Sequence, residues 1–553
     1  MTVGTNFLVI VADDLGFTDL GCFGGEIATP NLDKLAKLGT RITDFHTALA
    51  CSPTRLMLLS GTDNHIAGLG QMNEFARRHP EKFDGKPGYE GYLNDRVAAL
   101  SEILKDAGYH TWISGKWHLG LFKEHWPINR GFDDSWTLLP GAGNHYKYVF
   151  RDENGEIPKF LPPYYVDGDH ELDPDTELPD DFYLTTYFTD KALEFLKKPR
   201  DGPFFGFLTY TAPHWPYQAH EEIVKKYRGK YNAGPQHLRQ QRLAQAAKLG
   251  IVDPKTIPHP VTSIHKEWDE LTPEEQATES RIMETYAAMV EILDREVGRV
   301  LDYLEETGQL DNTFISFMSD NGAEGLLMEA LPLTSGRIHH MIDTYYDNSF
   351  DNIGRRNLFV FYSDQWAQAA TAPHSMYKMW TTEGAIVCPL IVRHPSFKTG
   401  VVNEFTTVMD ILPTILDLAK VPHPGNEYKG RKVVLPKGKS WVPYLQDKTD
   451  HVHDENTVVG WELFGQQAIR RGPYKAVYIP KPFGPEKWQL FDVRNDKGET
   501  KDLSKEKPEI LAELLDHWAE YVAETGLIEL GSDLFEKEKL HEDDTVDYKV
   551  IKD

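Results

Sequence analysis

Short apolar runs alternate with segments of helical periodicity through the first 420 residues, and no other feature limits the fold as strongly. Strand-sized runs stand at 7–12, 41–46, 110–114, 204–210, 313–318 and 386–393. Between the first two, Thr29-Pro30 precedes Leu32, Leu35 and Ala36 and then Gly39, which marks a helix by its cap, first-turn proline, apolar stripe and glycine stop. A longer helix is predicted over 273–306, with Met283, Ala287, Met289, Val290 and Leu293 on its buried side. Such a chain belongs to the α/β class, with a large mixed, mostly parallel sheet flanked by helices.

Past a Gly/Pro/Lys-rich stretch at 421–439, strands are predicted at 457–463, 466–471, 474–479 and 488–493, with Gly472-Pro473 as a turn, and then a helix over 508–525. Two domains are therefore expected, 1–430 and 431–553, the second a smaller α+β unit containing an antiparallel sheet. The stretch 152–181, dense in Asp, Glu and Pro, reads as an exposed excursion.

Charge and cysteine usage narrow the partners. With 85 acidic against 59 basic side chains, the net charge of −26 repels phosphate backbones and acidic lipid surfaces, so neither nucleic acid nor membrane is expected as a partner. No run reaches the ~18 apolar residues of a membrane span. The amino-terminal MTVGTNFLVIVADDLG has no basic n-region, which sets a cytoplasmic location as the expectation. Cys22, Cys51 and Cys388 are odd in number and lack metal-like spacing, which suits a reducing compartment.

In open α/β sheets ligands bind outside the carboxyl ends of the strands, so the residues just after each run carry the functional signal. Asp13-Asp14 follow the first run. GKWHLG, after the third, puts Lys116 and His118 two residues apart, on one side if the segment is extended. TAPHWP carries His214, and SDNGAEG carries Asp320 and Asn321. Each has a plain alternative: Asp-Asp caps helices, Asp-Asn-Gly makes turns, and most of 22 histidines are structural. Parallel strands would nevertheless bring all four groups to one edge. Asp13, Asp14, Asp320 and Asn321 offer hard oxygen ligands that suit Ca²⁺ or Mg²⁺, while Lys116, His118 and His214 supply positive charge for an oxyanion.

The fifth element is CSPTRLMLLSG. Pro53 marks a first helical turn, so Cys51 would stand at a helix amino terminus, a natural anion site, with Arg55 one turn on and to the same side. Cys22 and Cys388 read as buried small hydrophobes.

Cys51-Ser52-Pro53-Thr54-Arg55, with Leu58 and Ser60-Gly61 beyond it, resembles the C-x-P-x-R signature of type I (formylglycine-dependent) sulfatases. NFLVIVADDLG, GKWHLG, APHWP, FMSDNGAEG and the segment 377–389 stand in the order found in bacterial-type arylsulfatases of the alkaline phosphatase superfamily, so the similarity spans essentially the whole chain. It implies an alkaline phosphatase-like fold and hydrolysis of sulfate monoesters, aryl or alkyl, to alcohol or phenol plus sulfate. It further implies that a formylglycine-generating enzyme converts Cys51 to 3-oxoalanine (Cα-formylglycine), whose hydrate is the nucleophile. One Ca²⁺ would be held by Asp13, Asp14, Asp320, Asn321 and residue 51, with Asp320 as base for the attacking hydroxyl. Arg55 and Lys116 would neutralise the formylglycine hydroxyls and sulfate oxygens. His118 would take the proton of the second hydroxyl, and His214 and Lys378 would face the bridging oxygen, with His214 as general acid.

One stretch departs from the family pattern E-G-G-x-R-x-P: here it is Glu383-Gly384-Ala385-Ile386-Val387-Cys388-Pro389. Neither the close backbone approach beside Lys378 nor a salt bridge from that arginine then follows from the resemblance. Two other readings stand beside the sulfatase: a phosphonate or phosphate ester hydrolase on the same fold, and a silent metal-binding relative in which Cys51 stays a thiol. Trp117, Trp215 and Tyr146 are candidates to stack on an aryl group, 141–181 and 331–374 to form the pocket rim, and Asn144-His145 to reach the site.

Overall fold

The computed structural model describes residues 4–531 except 153, 158–161, 264–265, 326–336 and 482. Ten strands form one sheet: β1 (Asn6–Ala12), β2 (Thr40–His46), β3 (His110–Lys116), β4 (Asp134–Leu138), β5 (Tyr165–Asp167), β6 (His170–Glu171), β7 (Phe204–Thr209), β8 (Thr313–Ser319), β9 (Leu390–Arg393) and β10 (Gly400–Thr407). Their order is β10-β2-β9-β8-β1-β7-β3-β4-β5-β6. The central pairs β8/β1, β1/β7, β7/β3 and β3/β4 are parallel, and β9 runs antiparallel to both β2 and β8. Every residue of β1 is buried, as expected of a central strand covered by helices on both faces.

Several local expectations are corrected. The apolar run 386–393 is not one strand: Glu383–Ile386 is a helical turn, Val387 makes an isolated antiparallel bridge to His46, and the strand proper is Leu390–Arg393. Pro389 lies between them, and a proline bars ladder pairing at its own nitrogen. The excursion 152–181 is not wholly outside the fold, since β5 and β6 lie in it and extend the sheet edge. Thr29 does not cap the Pro30–Leu38 helix; Asp294 does so from the Pro273–Glu306 helix, accepting from the Asn31 and Leu32 amides at 3.2 and 2.8 Å. Gly39 is extended rather than left-handed, and its need for glycine is steric, because a Cβ would stand 2.4 Å from the Val392 carbonyl oxygen.

The Pro273–Glu306 helix has the predicted bounds and opens on a Thr272/Glu275 capping box, each side chain accepting from the other's backbone N–H. A small hairpin, β11 (Glu427–Tyr428) and β12 (Arg431–Lys432), precedes the second sheet. That sheet is antiparallel and runs β13 (Val458–Leu463), β14 (Gln466–Arg471), β15 (Tyr474–Tyr478) and β16 (Trp488–Asp492). The Pro508–Thr525 helix covers one face, packing Leu514, Trp518 and Tyr521 on Ile469, Ala476 and Leu490. On the other side Trp461 donates to the Thr47 carbonyl at 2.9 Å, just ahead of Cys51. Among the described residues no helix is long and apolar enough to cross a membrane.

Candidate active site

Because β8, β1, β7 and β3 are adjacent and parallel, the residues that follow them emerge on one sheet edge. β2 runs the same way and delivers the chain to Cys51 at that edge. Cys51 is the first residue of the Cys51–Ser60 helix, whose ten residues are all buried and whose N-cap, Ala50, offers no side-chain acceptor. The positive end of the helix is thereby left for an anion.

Around it the predicted residues interlock. Arg55 reaches Asp320 Oδ2 with Nε at 2.9 Å and Nη2 at 2.7 Å, and donates from Nη1 to the Lys116 carbonyl at 2.9 Å. Lys116 Nζ donates to Asp13 Oδ2 at 2.6 Å. Asp14, itself left-handed at φ 68°, accepts from Lys378 Nζ at 2.8 Å and Asn321 Nδ2 at 2.7 Å. His214 Nε2 lies 3.5 Å from Asp14 Oδ2, and its Nδ1 donates to the Trp215 carbonyl at 2.8 Å. His118 Nδ1 is 3.4 Å from Cys51 Sγ, and its Nε2 is 3.2 Å from Glu74 Oε1. The extended-segment reading of GKWHLG holds only to the end of β3; His118 has φ 56°, and this turn brings its ring to Cys51.

Two residues of the site carried no sequence expectation. Glu324 pairs with Lys378 Nζ at 2.8 Å, and as the acid of SDNGAEG it was in view without an assigned role. Glu74 orients His118 from a segment with no motif, so only the tertiary contact finds it. Of the three rings proposed for stacking, Trp117 is buried and donates to the His125 carbonyl, and Tyr146 is bonded to His220. Trp215, half-buried like Tyr146, has its ring 4.4 Å from that of His214. His145 reaches the backbone of His214 at 2.9 Å, while Asn144 meets Gln218 and Tyr346. Part of the rim segment 331–374 lies outside the described residues.

The electrostatics show a surplus of buried negative charge. Burial raises the carboxyl of Asp13, but Lys116, His214 and Arg55 outweigh it and hold the group well below the ordinary range. Asp320 is pushed well up by burial and by the charge of Asp13, and Asp14 is raised by burial against the pull of Lys378. For Cys51, burial is outweighed by Lys116, His118 and Lys378, which bring its thiol to about 7.

A divalent cation fits here on two counts. Asp13 Oδ1 and Asn321 Oδ1 are buried with no hydrogen-bond partner among the described residues. Asp13, Cys51 and Asp320 also place their ligand atoms within 4.8 Å of one another, as do Asp13, Asp14 and His214. A third such group, Asp44, His46 and Glu383, lies between the two sheets. Arg470, Lys475 and Lys497 already occupy its carboxylates, so it is an ion-pair cluster.

The sulfatase family pattern matches residues 5–421. The chain belongs to the sulfatase family. It is 53% identical over 534 residues to an uncharacterised sulfatase of Schizosaccharomyces pombe, covering 96% of this chain and 95% of that one. With the arylsulfatase of Klebsiella aerogenes it shares 36% identity over 438 residues, 78% of this sulfatase and 89% of the relative. The crystal structure of Ps i-CgsB with k-i-k-neocarrahexaose shares the fold at TM-score 0.67 and 22% identity, covering 97% and 98% of the two chains. The sulfatase is thus a sulfuric ester hydrolase with an alkaline phosphatase-like sheet, and the motif-bearing strand ends of that sheet surround Cys51.

Proposed function

We propose that this sulfatase hydrolyses aryl sulfate monoesters, with residue 51 matured to formylglycine by a formylglycine-generating enzyme and one Ca²⁺ held by Asp13, Asp14, Asp320, Asn321 and residue 51. The observation that carries the reading is the convergence of two unpartnered buried oxygens, Asp13 Oδ1 and Asn321 Oδ1, with the side chain that opens the Cys51–Ser60 helix. In the structure Cys51 Sγ stands where the formylglycine oxygens would be.

Bound Ca²⁺ would supply Lewis acidity toward the sulfate and a lower pKa for the attacking hydroxyl. The formylglycine hydrate would supply one hydroxyl to attack sulfur and a second to release the sulfate. The chain's own groups do the rest. Arg55, fixed by Asp320, and Lys116, fixed by Asp13, hold the sulfate oxygens against residue 51. Asp320 is the base for the attacking hydroxyl. His118, oriented by Glu74, takes the proton from the second hydroxyl of residue 51.

The leaving-group side sharpens the substrate class. His214 commits its Nδ1–H to the Trp215 carbonyl, and burial together with Lys378 lowers its pKa well below the usual value, so the neutral ring presents a lone pair at Nε2. Lys378 is held protonated by Asp14 and Glu324, which outweigh its burial. The Lys378 ammonium can neutralise a departing phenolate, whereas neutral His214 has no proton at Nε2 to give an alkoxide, and Trp215 beside His214 offers a ring face to an aryl group. His214 thus serves as a ligand-side neighbour of the bridging oxygen more than as the general acid expected from the resemblance.

Cys22 and Cys388, buried and unpaired, support a reducing cytoplasm as the working compartment, where imported aryl sulfates would be a source of sulfur. Purified enzyme with formylglycine at position 51 verified by mass spectrometry should turn over nitrophenyl sulfate far faster than nitrophenyl phosphate or an alkyl sulfate. Faster phosphate turnover, or equal aryl and alkyl rates, would refute the assignment.

A further inference from the structure

The segment that carries Lys378 is short, strained and held from outside its own sheet. Met376 and Met379 flank the lysine with φ of 59° and 73°, a left-handed conformation that side-chain-bearing residues keep only when their surroundings over-determine it. Some of the restraint is local: the Lys378 amide donates to the Ala323 carbonyl at 2.9 Å, and the Met379 amide to the Leu49 carbonyl at 2.9 Å. Gly384 donates to the Ser375 carbonyl at 2.8 Å, and a Cβ there would lie 2.1 Å from the Met376 oxygen, so only glycine closes this loop.

The remaining restraint comes from the carboxy-terminal sheet. Gln466, the first residue of β14, accepts from the Thr381 amide at 3.3 Å and donates to the Met379 carbonyl at 3.1 Å, holding the chain on the carboxyl side of the strained Met379. Lys475 of β15, with its side chain fully buried, donates to Glu383 at 2.8 Å and Glu499 at 3.1 Å, and Glu499 also accepts from the Glu383 amide at 2.8 Å. His46 and, behind it, Arg470 complete the partners of Glu383. Position 387, one helical turn after Glu383, carries valine, so no cation from the segment itself is placed to serve that carboxylate.

We propose that the carboxy-terminal sheet belongs to the catalytic apparatus, with Gln466 and the Lys475–Glu383 ion pair as positioning residues that set where the Lys378 ammonium stands. The consequence for turnover rests on the sulfatase reading; the mechanical claim does not. Hydrogen exchange tests the mechanics: Gln466→Ala should speed exchange of the Lys378 and Met379 amides about tenfold or more while the Cys51–Ser60 helix stays protected. Unchanged exchange across 375–384 overturns the proposal whatever the enzyme's activity.

Turnover of nitrophenyl sulfate tests the coupling. Gln466→Ala should lower kcat about tenfold with KM within about twofold of the parent, but have under a twofold effect in a Lys378→Met background. Equal losses in both backgrounds overturn the proposal, since a purely structural residue acts regardless of residue 378. Lys475→Arg should retain kcat and Lys475→Met lose it, and equal loss in both counts against the ion pair. If Lys475→Met does not fold, Lys475→Met combined with Glu383→Gln and Glu499→Gln removes the lysine together with both of its carboxylate partners. Parent enzyme with verified formylglycine that leaves nitrophenyl sulfate untouched would refute the sulfatase reading, and the exchange result would still decide the positioning.

Discussion

At the strand-end edge, Asp13, Asp14, Asp320 and Asn321 lie among Arg55, Lys116 and Lys378; between the two sheets, Asp44, His46, Glu383 and Glu499 lie among Arg470, Lys475 and Lys497. Both clusters are buried, and both group acids and bases closely enough to resemble metal sites. They differ in what is left over. Each charged side-chain atom between the sheets has a partner, whereas Asp13 Oδ1 and Asn321 Oδ1 at the edge have none among the described residues. The residue types in a buried cluster do not reveal its purpose; the unsatisfied atoms do, because an orphaned buried oxygen is costly unless something binds it.

The sharpest way to break this contrast is at the nucleophile. Cys51→Ala should lower kcat on nitrophenyl sulfate by about 10⁴-fold or more while leaving the urea midpoint nearly unchanged, since the site is built for a ligand and not for stability. Between the sheets the effect should invert. Glu383→Ala strands Lys475 without its main acceptor and should cost about 3–5 kcal/mol of unfolding free energy, measured by urea titration, with or without Ca²⁺.

Calcium separates the regions directly. At 100 times its dissociation constant Ca²⁺ should stabilise the protein by about 2.7 kcal/mol. Asp13→Asn should abolish that shift and the Asp44→Asn variant should keep it; a shift lost in both would erase the distinction drawn here.

A smaller effect comes from a second contact of the seam. His65 lies 3.0 Å from Asp63 and 3.2 Å from Glu462 of β13, and these acids, outweighing burial, push it up to about 9 from 6.5. A raised folded-state value means that its stabilisation is complete below about pH 6.5 and is lost as pH rises through about 9. The urea midpoint should fall over that window, and His65→Gln should flatten the fall. Smallest of all, kcat/KM for an anionic ester should rise modestly with moderate salt, because a net charge of −26 slows its long-range capture.

The parts of the fold legible in the sequence were those with a local cause. β1, β7 and β8 were visible as apolar runs, and the Pro273–Glu306 and Pro508–Thr525 helices as helical segments with those bounds. Failures occurred where a distant partner intervened: Asp294 took over the cap expected of Thr29, and β5 and β6 formed inside an acidic stretch because β4 offered an open edge. In the site, Asp13, Asp14, Lys116, His214, Asp320 and Asn321 were found because each stands at or shortly past the carboxyl end of a strand. Glu74 was not, since it acts only through His118.

By itself the sequence determined the strand-end motifs, the order in which they occur and the helix that opens at Cys51, all set by residues within a few positions of one another. Only the tertiary structure decided that Glu383 is served by Lys475, 92 residues away, and that two oxygens at the strand edge remain without a partner. Periodicity and capping are short-range properties of a chain, while the satisfaction of a buried charge depends on everything the fold packs around it.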